Sequence, residues 1–198
     1  MKSIIYAILL TITVTMSYAQ ESKQYQKLKK DLDFRPAYII KNDSVKIHGL
    51  IEDKGMDYDD FKYSFIVFAK EGGTEASYSP NDILGFGYSG YKFVSDGKSF
   101  YQIVQKGSRV TLYKCNKVTN RSAPGAPGMG SMHYRSVEEQ FFVKRPEENE
   151  FKQVRKRKFK LEFAAYFEDC DELVRKIQTG EYTHKDITEI VRKYNRCE

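Results

Sequence analysis

Gly85-Phe86-Gly87-Tyr88-Ser89-Gly90 reproduces the G-x-G-x-x-G spacing with which a strand-to-helix turn holds a dinucleotide pyrophosphate. That chemistry needs a helix N-terminus directly after the glycines. Here the β-formers Tyr91 and Phe93 follow instead, so the glycines read as strand and turn residues and no cofactor is expected. His48, His133 and His184 each stand without a His or Cys at ligand spacing, which predicts no metal site. No serine sits in a nucleophile elbow. Carboxylates gather at Asp57, Asp59 and Asp60 and again at Glu168, Asp169, Asp171 and Glu172. Hydrolysis of a glycoside needs two carboxylates facing each other across a cleft, and linear clusters of this kind read as solvated faces or helix caps. The densest charge feature is Lys152, Arg155, Lys156, Arg157, Lys158 and Lys160, a run suited to a polyanion or a membrane surface. Its alternation with Val154, Phe159 and Leu161 also fits a solvated sheet edge. Asn42-Asp43-Ser44 and Asn120-Arg121-Ser122 match the glycosylation acceptor pattern, and turn chemistry accounts for both.

The elements that must position these groups change character along the chain. Residues 20–33 form a lysine-rich polar leader with Tyr25, Leu28 and Leu32 spaced three and four apart, which fits a short peripheral helix or a loose segment. From Phe34 the pattern is β. Ala37 to Ile40 and Val45 to Ile51 flank Asn42-Asp43, residues that tolerate a left-handed turn, and predict a hairpin. Further strands are expected over Tyr63 to Phe68, Ile83 to Tyr88, Tyr91 to Val94, Ser99 to Val104 and Arg109 to Cys115. Gln140 to Val143 pairs with Phe151 to Val154 in a last hairpin. Residues 120–131, rich in Pro and Gly, read as a flexible loop.

Over 156–198 the apolar residues recur at three and four: Phe159, Phe163, Tyr166 and Phe167, then Leu173, Val174 and Ile177, then Ile187, Ile190, Val191 and Tyr194. Asp169 with Glu172, and Thr183 with Asp186, have the spacing of capping boxes, and Gly180 stands where a helix ends. The fold class expected is therefore α+β: an antiparallel β domain over 34–155, either a sandwich or a partly open barrel, followed by a C-terminal helical segment.

Residues 1–19 read as a cleavable signal peptide: Lys2, an apolar stretch from Ser3 to about Met16, then the small residues Ser17 and Ala19 before an abruptly polar Gln20. The stretch falls short of the ~20 residues a spanning helix needs, so cleavage after Ala19 and a periplasmic or secreted destination are expected, with no transmembrane segment in the mature chain. Loss of Lys2 takes the formal net charge from +6 to +5, too mild and too interspersed to call for nucleic acid. Aromatics at 14% supply ample core material and exclude wholesale disorder.

An oxidising destination gives the three cysteines meaning. Cys170 opens one helix and Cys197 follows the end of the next. Antiparallel packing of two arms of similar length brings those ends together, so a Cys170–Cys197 disulfide is expected, with Cys115 left as a small buried apolar side chain.

Three segments carry a resemblance: Ala37 to Ile51, Tyr78-Ser-Pro-Asn-Asp-Ile-Leu-Gly-Phe86, and the tail pieces Tyr166-Phe-Glu-Asp-Cys-Asp-Glu-Leu173 and Ile190-Val-Arg-Lys-Tyr-Asn-Arg-Cys197. With the signal peptide they resemble a widespread group of uncharacterised exported proteins of Gram-negative bacteria. The resemblance implies a bacterial envelope setting and transfers no catalytic residue, and the loop at 121–131 looks like an addition to the group's pattern. The function expected is a non-catalytic binding or structural module of the envelope, its partner an envelope protein, a glycan or an anionic surface. The alternatives are a periplasmic or secreted hydrolase and a polyanion or membrane binder acting through 152–160.

Overall fold

The computed structural model describes residues 22–55, 61–72, 75–123 and 131–197. The signal segment and the centre of the Pro/Gly loop lie outside them. A short helix α1 (Lys23–Lys30) precedes ten strands: β1 (Phe34–Lys41), β2 (Lys46–Glu52), β3 (Ile66–Lys70), β4 (Glu75–Tyr78), β5 (Ile83–Tyr88), β6 (Tyr91–Ser95), β7 (Phe100–Gln105), β8 (Thr111–Ala123), β9 (Met132–Lys144) and β10 (Lys152–Gln153). Helices α2 (Phe159–Tyr166), α3 (Asp171–Thr179) and α4 (Ile187–Tyr194) complete the chain. No helix among the described residues is long and apolar enough to cross a membrane.

The strands form one antiparallel sheet in the order β10-β9-β8-β7-β6-β5-β1-β2-β3-β4, not closed into a barrel. The α+β class is as the sequence predicts, but a single sheet replaces the sandwich. The β1–β2 hairpin turns at Asn42-Asp43-Ser44, with Ser44 in the left-handed region at φ 65° and Asp43 Oδ1 accepting from the Val45 amide. β1 pairs with β2 on one side and β5 on the other, which places the first hairpin in the middle of the sheet.

Alternation sorts the side chains by face. Ile39, Ile51, Phe68, Phe86, Phe93 and Phe100 belong to one apolar cluster, with Phe86 stacked on Phe93 at 4.3 Å. Leu50 and Ala69, one residue out of phase with Ile51 and Phe68, face the other way and receive Tyr25 of α1. The leader is thus anchored by a buried tyrosine rather than peripheral, while Leu32, the third member of its expected stripe, lies beyond the helix and is 81% exposed.

A second cluster joins Val110, Leu112 and Val143 of the sheet region to Phe159, Phe163, Phe167, Leu173, Ile177, Ile187, Ile190, Val191 and Tyr194. The aromatic stripe of the C-terminal segment is the face that docks. Gly180 ends α3 at φ 86°, and Thr183 and Asp186 form the expected capping box. Asp169 does not cap α3. Cys170 is the N-cap residue, with no capping hydrogen bond from its side chain, and the Asp169 carboxylate turns instead to Tyr194 and Arg109.

Three further differences concern boundaries. Phe61–Tyr63 forms a 3-10 turn, and strand β3 starts only at Ile66, because Tyr63 is used to cross the sheet rather than extend along it. β4 was not expected from its sequence, Glu-Ala-Ser-Tyr, which is exposed on one edge and carries no apolar alternation. Residues 120–123 belong to a strand. β8 and β9 run paired from Thr111↔Lys144 to Ala123↔Met132, far beyond the last β7 contact at Lys114. The two strands support each other where the rest of the sheet does not reach.

Candidate functional site

A cavity of about 330 Å³ into which several polar groups converge lies on the sheet face that carries Phe86 and Phe93. Its floor is a cross-strand row read directly from the register: Phe93 opposite Gln102, and Gln102 opposite Lys114. Asn116, two residues on from Lys114, continues the same face. Tyr88 and Tyr91, paired at the β5–β6 turn, line it together with Lys62 and Tyr63 of the 3-10 turn. The Tyr63 ring meets Phe93 edge-on at 5.9 Å, and its hydroxyl lies 3.4 Å from Gln102 Oε1.

Lys62 is the unusual member, a lysine only 4% exposed. Burial of an ammonium is tolerated only where its donors are engaged. Nζ donates to Asp53 Oδ1 at 2.6 Å and to Tyr88 Oη at 2.6 Å, and stands 4.7 Å from the centre of the Tyr88 ring. Asp53, just past β2, is also approached by Arg35 Nε at 4.0 Å. Lys114 Nζ is 2.9 Å from Glu139 Oε2, a residue placed opposite Asn116 on β9. Both ammonium groups that line the cavity are therefore matched by carboxylates, and Asp53 is the one carboxylate among the described lining residues. The chemistry on offer is flat aromatic surface beside neutral and charge-balanced hydrogen-bonding groups.

No family model, curated protein or solved structure matches the chain.

Elsewhere the structure gives the suggestive residues of the sequence other employment. A Cβ on Gly85 would sit 2.3 Å from the Phe93 carbonyl oxygen, one on Gly87 would fall 2.6 Å from the Tyr38 ring, and Gly90 turns the β5–β6 hairpin at φ 85°. Two close approaches and a turn thus account for the G-x-G-x-x-G spacing. His48 lies on β2 opposite Tyr38, its ring 6.2 Å away; His133 lies on β9 opposite Ser122; His184 opens a 3-10 turn. The basic run divides. Lys152 stands over the Phe163 and Tyr166 rings, Arg155 bonds the Gln153 side chain, and Arg157 is exposed, whereas Lys156, Lys158 and Lys160 line one hollow.

Cys170 and Cys197 are disulfide-bonded with Cα atoms 6.1 Å apart, and Cys115 is free and half-buried. Burial, reinforced by Asp96, pushes the Cys115 thiol up to about 11. A raised thiol value leaves little thiolate near neutrality, and thiolate is the species that reacts. At pH 8 native Cys115 is expected to react with iodoacetamide at least about tenfold more slowly than in the unfolded chain, as followed by mass spectrometry. Equal rates would show that the thiol is not held in this environment.

Apart from Tyr88 and Ser89, which fall in the G-x-G-x-x-G run, no residue lining the cavity stands out in the sequence as a site. Asp53, Lys62, Gln102 and Lys114 carry no mutual spacing, since each comes from a different element. The one signal available was Lys62 flanked by Phe61 and Tyr63 directly before a buried strand, a charge in an aromatic context.

Proposed function

We propose that the protein is a non-catalytic, exported binding module whose cavity between the 3-10 turn and β5–β8 holds a neutral saccharide. The reading rests on one observation: Tyr63, Tyr88, Tyr91 and Phe93 wall a cavity whose lining lysines, Lys62 and Lys114, are already matched by carboxylates. Aromatic faces cover the C–H faces of a sugar ring, while Gln102, Asn116 and Ser89 offer amide and hydroxyl groups to its hydroxyls. A charged ligand would have to break an existing pair. Asp53, the one carboxylate among the described lining residues, is already bonded to Lys62, an arrangement suited to holding a glycan. Export and a Gram-negative envelope setting belong to the same proposal, supported by the Cys170–Cys197 disulfide, which suits an oxidising compartment.

Titration calorimetry with cellohexaose, maltohexaose and chitohexaose tests it. Saturable binding of at least one is expected, without cleavage on long incubation. Tyr91 is 51% exposed, so Tyr91→Ala leaves the fold intact and should weaken that binding about tenfold, with a similar loss for Gln102→Leu. Absence of binding to all three, or affinity unmoved by Tyr91→Ala, would refute the reading.

A further inference from the structure

We infer that the basic hollow beside α2 is a docking surface for a bilayer containing anionic lipid. This rests on a different part of the molecule from the saccharide cavity and stands without it. The hollow, about 650 Å³, is lined by Lys156, Lys158 and Lys160 from the run that leads into α2, and by Lys185 and His184 from the 3-10 turn before α4. The fourth lysine arrives through the fold. Phe159 fixes the join, buried in the C-terminal core with the His184 ring 6.3 Å away and edge-on to it.

Two properties identify the occupant. The first is charge. No carboxylate lines the hollow, and none of its four lysines is in an ion pair among the described residues. The nearby Asp186 carboxylate is turned to the Thr183 amide and hydroxyl at 2.9 and 2.8 Å, and Lys160 Nζ reaches only a carbonyl, that of Gln178, at 3.4 Å. The second is apolar exposure. Leu161, 75% exposed, lines both this hollow and a second one, which is lined also by Ala164, Ala165, Val174 and Glu168. A soluble polyanion has no use for a projecting leucine among lysines. An anionic bilayer uses both, the lysines at the headgroups and the leucine at the acyl boundary.

Vesicle co-sedimentation of the full chain provides the test, comparing phosphatidylcholine vesicles with vesicles of phosphatidylcholine and phosphatidylglycerol at 7:3. The N-terminal residues, Lys2 included, are common to parent and variants, so the difference between them on anionic vesicles is what assigns binding to the hollow. Stronger binding to the anionic vesicles is expected, falling steeply as salt is raised. Each lysine at such a surface is worth roughly a fivefold change, so Lys156→Gln/Lys185→Gln should weaken binding to anionic vesicles roughly 25-fold. Leu161→Ser should weaken it roughly tenfold at unchanged charge. All three positions are exposed, and circular dichroism of each variant confirms that the fold is kept. Equal binding to the two vesicle types overturns the proposal. So does retention on heparin that Leu161→Ser leaves unchanged, together with no preference for anionic vesicles, since that outcome assigns the surface to soluble polyanions.

Discussion

Asn195→Leu is expected to destabilise the protein by roughly 3 to 4 kcal/mol in urea denaturation, more than most substitutions at half-buried polar residues. The Asn195 amide fills its whole hydrogen-bonding capacity. Oδ1 accepts from the Arg109 and Val110 amides, both at 3.0 Å, and Nδ2 donates to the Val110 carbonyl at 2.8 Å and the Val191 carbonyl at 2.9 Å. It thereby pins the end of α4 to the segment that enters β8. Gly107 is pressed against the same amide, and a Cβ there would lie 2.1 Å from Asn195 Cγ. Leucine keeps the volume and excludes water, leaving two amides and two carbonyls without this partner. Asn195→Asp should destabilise as well, because the two accepted bonds survive but a carboxylate oxygen then faces the Val110 and Val191 carbonyl oxygens in place of the donating amide. A loss below about 1 kcal/mol for the leucine variant would show that the helices are held by apolar packing alone.

Removal of the disulfide is the second large effect. The bridge closes a loop of sequence separation 27 between the start of α3 and the end of α4, where Cys170 is buried against the same core as Tyr194. Chain-entropy reasoning assigns such a loop roughly 3 to 4 kcal/mol, most of it through restriction of the unfolded chain. Cys170→Ala/Cys197→Ala should lower the melting temperature by roughly 10 °C, and dithiothreitol should lower that of the parent similarly. The double variant should show no further response to dithiothreitol. A parent indifferent to reductant would mean that the linkage adds nothing to the docked helices.

Around these two pins lies a polar network that holds the C-terminal segment to the sheet. Tyr194 Oη donates to Asp169 at 2.8 Å, Arg109 pairs with the same carboxylate, and Arg145 donates to the Tyr166 carbonyl while Tyr166 Oη donates to Glu148 at 2.7 Å. Desolvation works to raise the Asp169 carboxyl, but the bonds from Tyr194 and Arg109 outweigh it and hold the group below its ordinary range. The stabilisation it contributes is therefore present above that ordinary range and is lost as the pH falls through the lowered value. Asp169 is the residue whose spacing to Glu172 imitates a capping box. Its employment by Arg109, sixty residues away, is a relation that no local pattern contains.

Local relations were legible throughout. The Asn42-Asp43 turn, the glycine end of α3 at Gly180, the Thr183–Asp186 cap and the docking stripe from Phe159 to Tyr194 all follow from contacts within four residues or from one helical period. The disulfide could be derived because it joins the ends of two consecutive arms, the shortest tertiary relation the chain offers. β4 could not, since an exposed edge strand is specified by its pairing with β3 and not by its own alternation.

By itself, then, the sequence determined the α+β class, the antiparallel pairing of neighbouring strands and the Cys170–Cys197 link, all set by short-range periodicity and turn chemistry. Only the tertiary structure decided that G-x-G-x-x-G serves close backbone contact, that Lys185 joins the basic run, and that Asp53, Lys62, Gln102 and Lys114 surround one cavity. Those placements depend on cross-strand register and on where the 3-10 turn crosses the sheet. Both are settled by packing among residues far apart in the chain, and spacing along the chain carries no record of it.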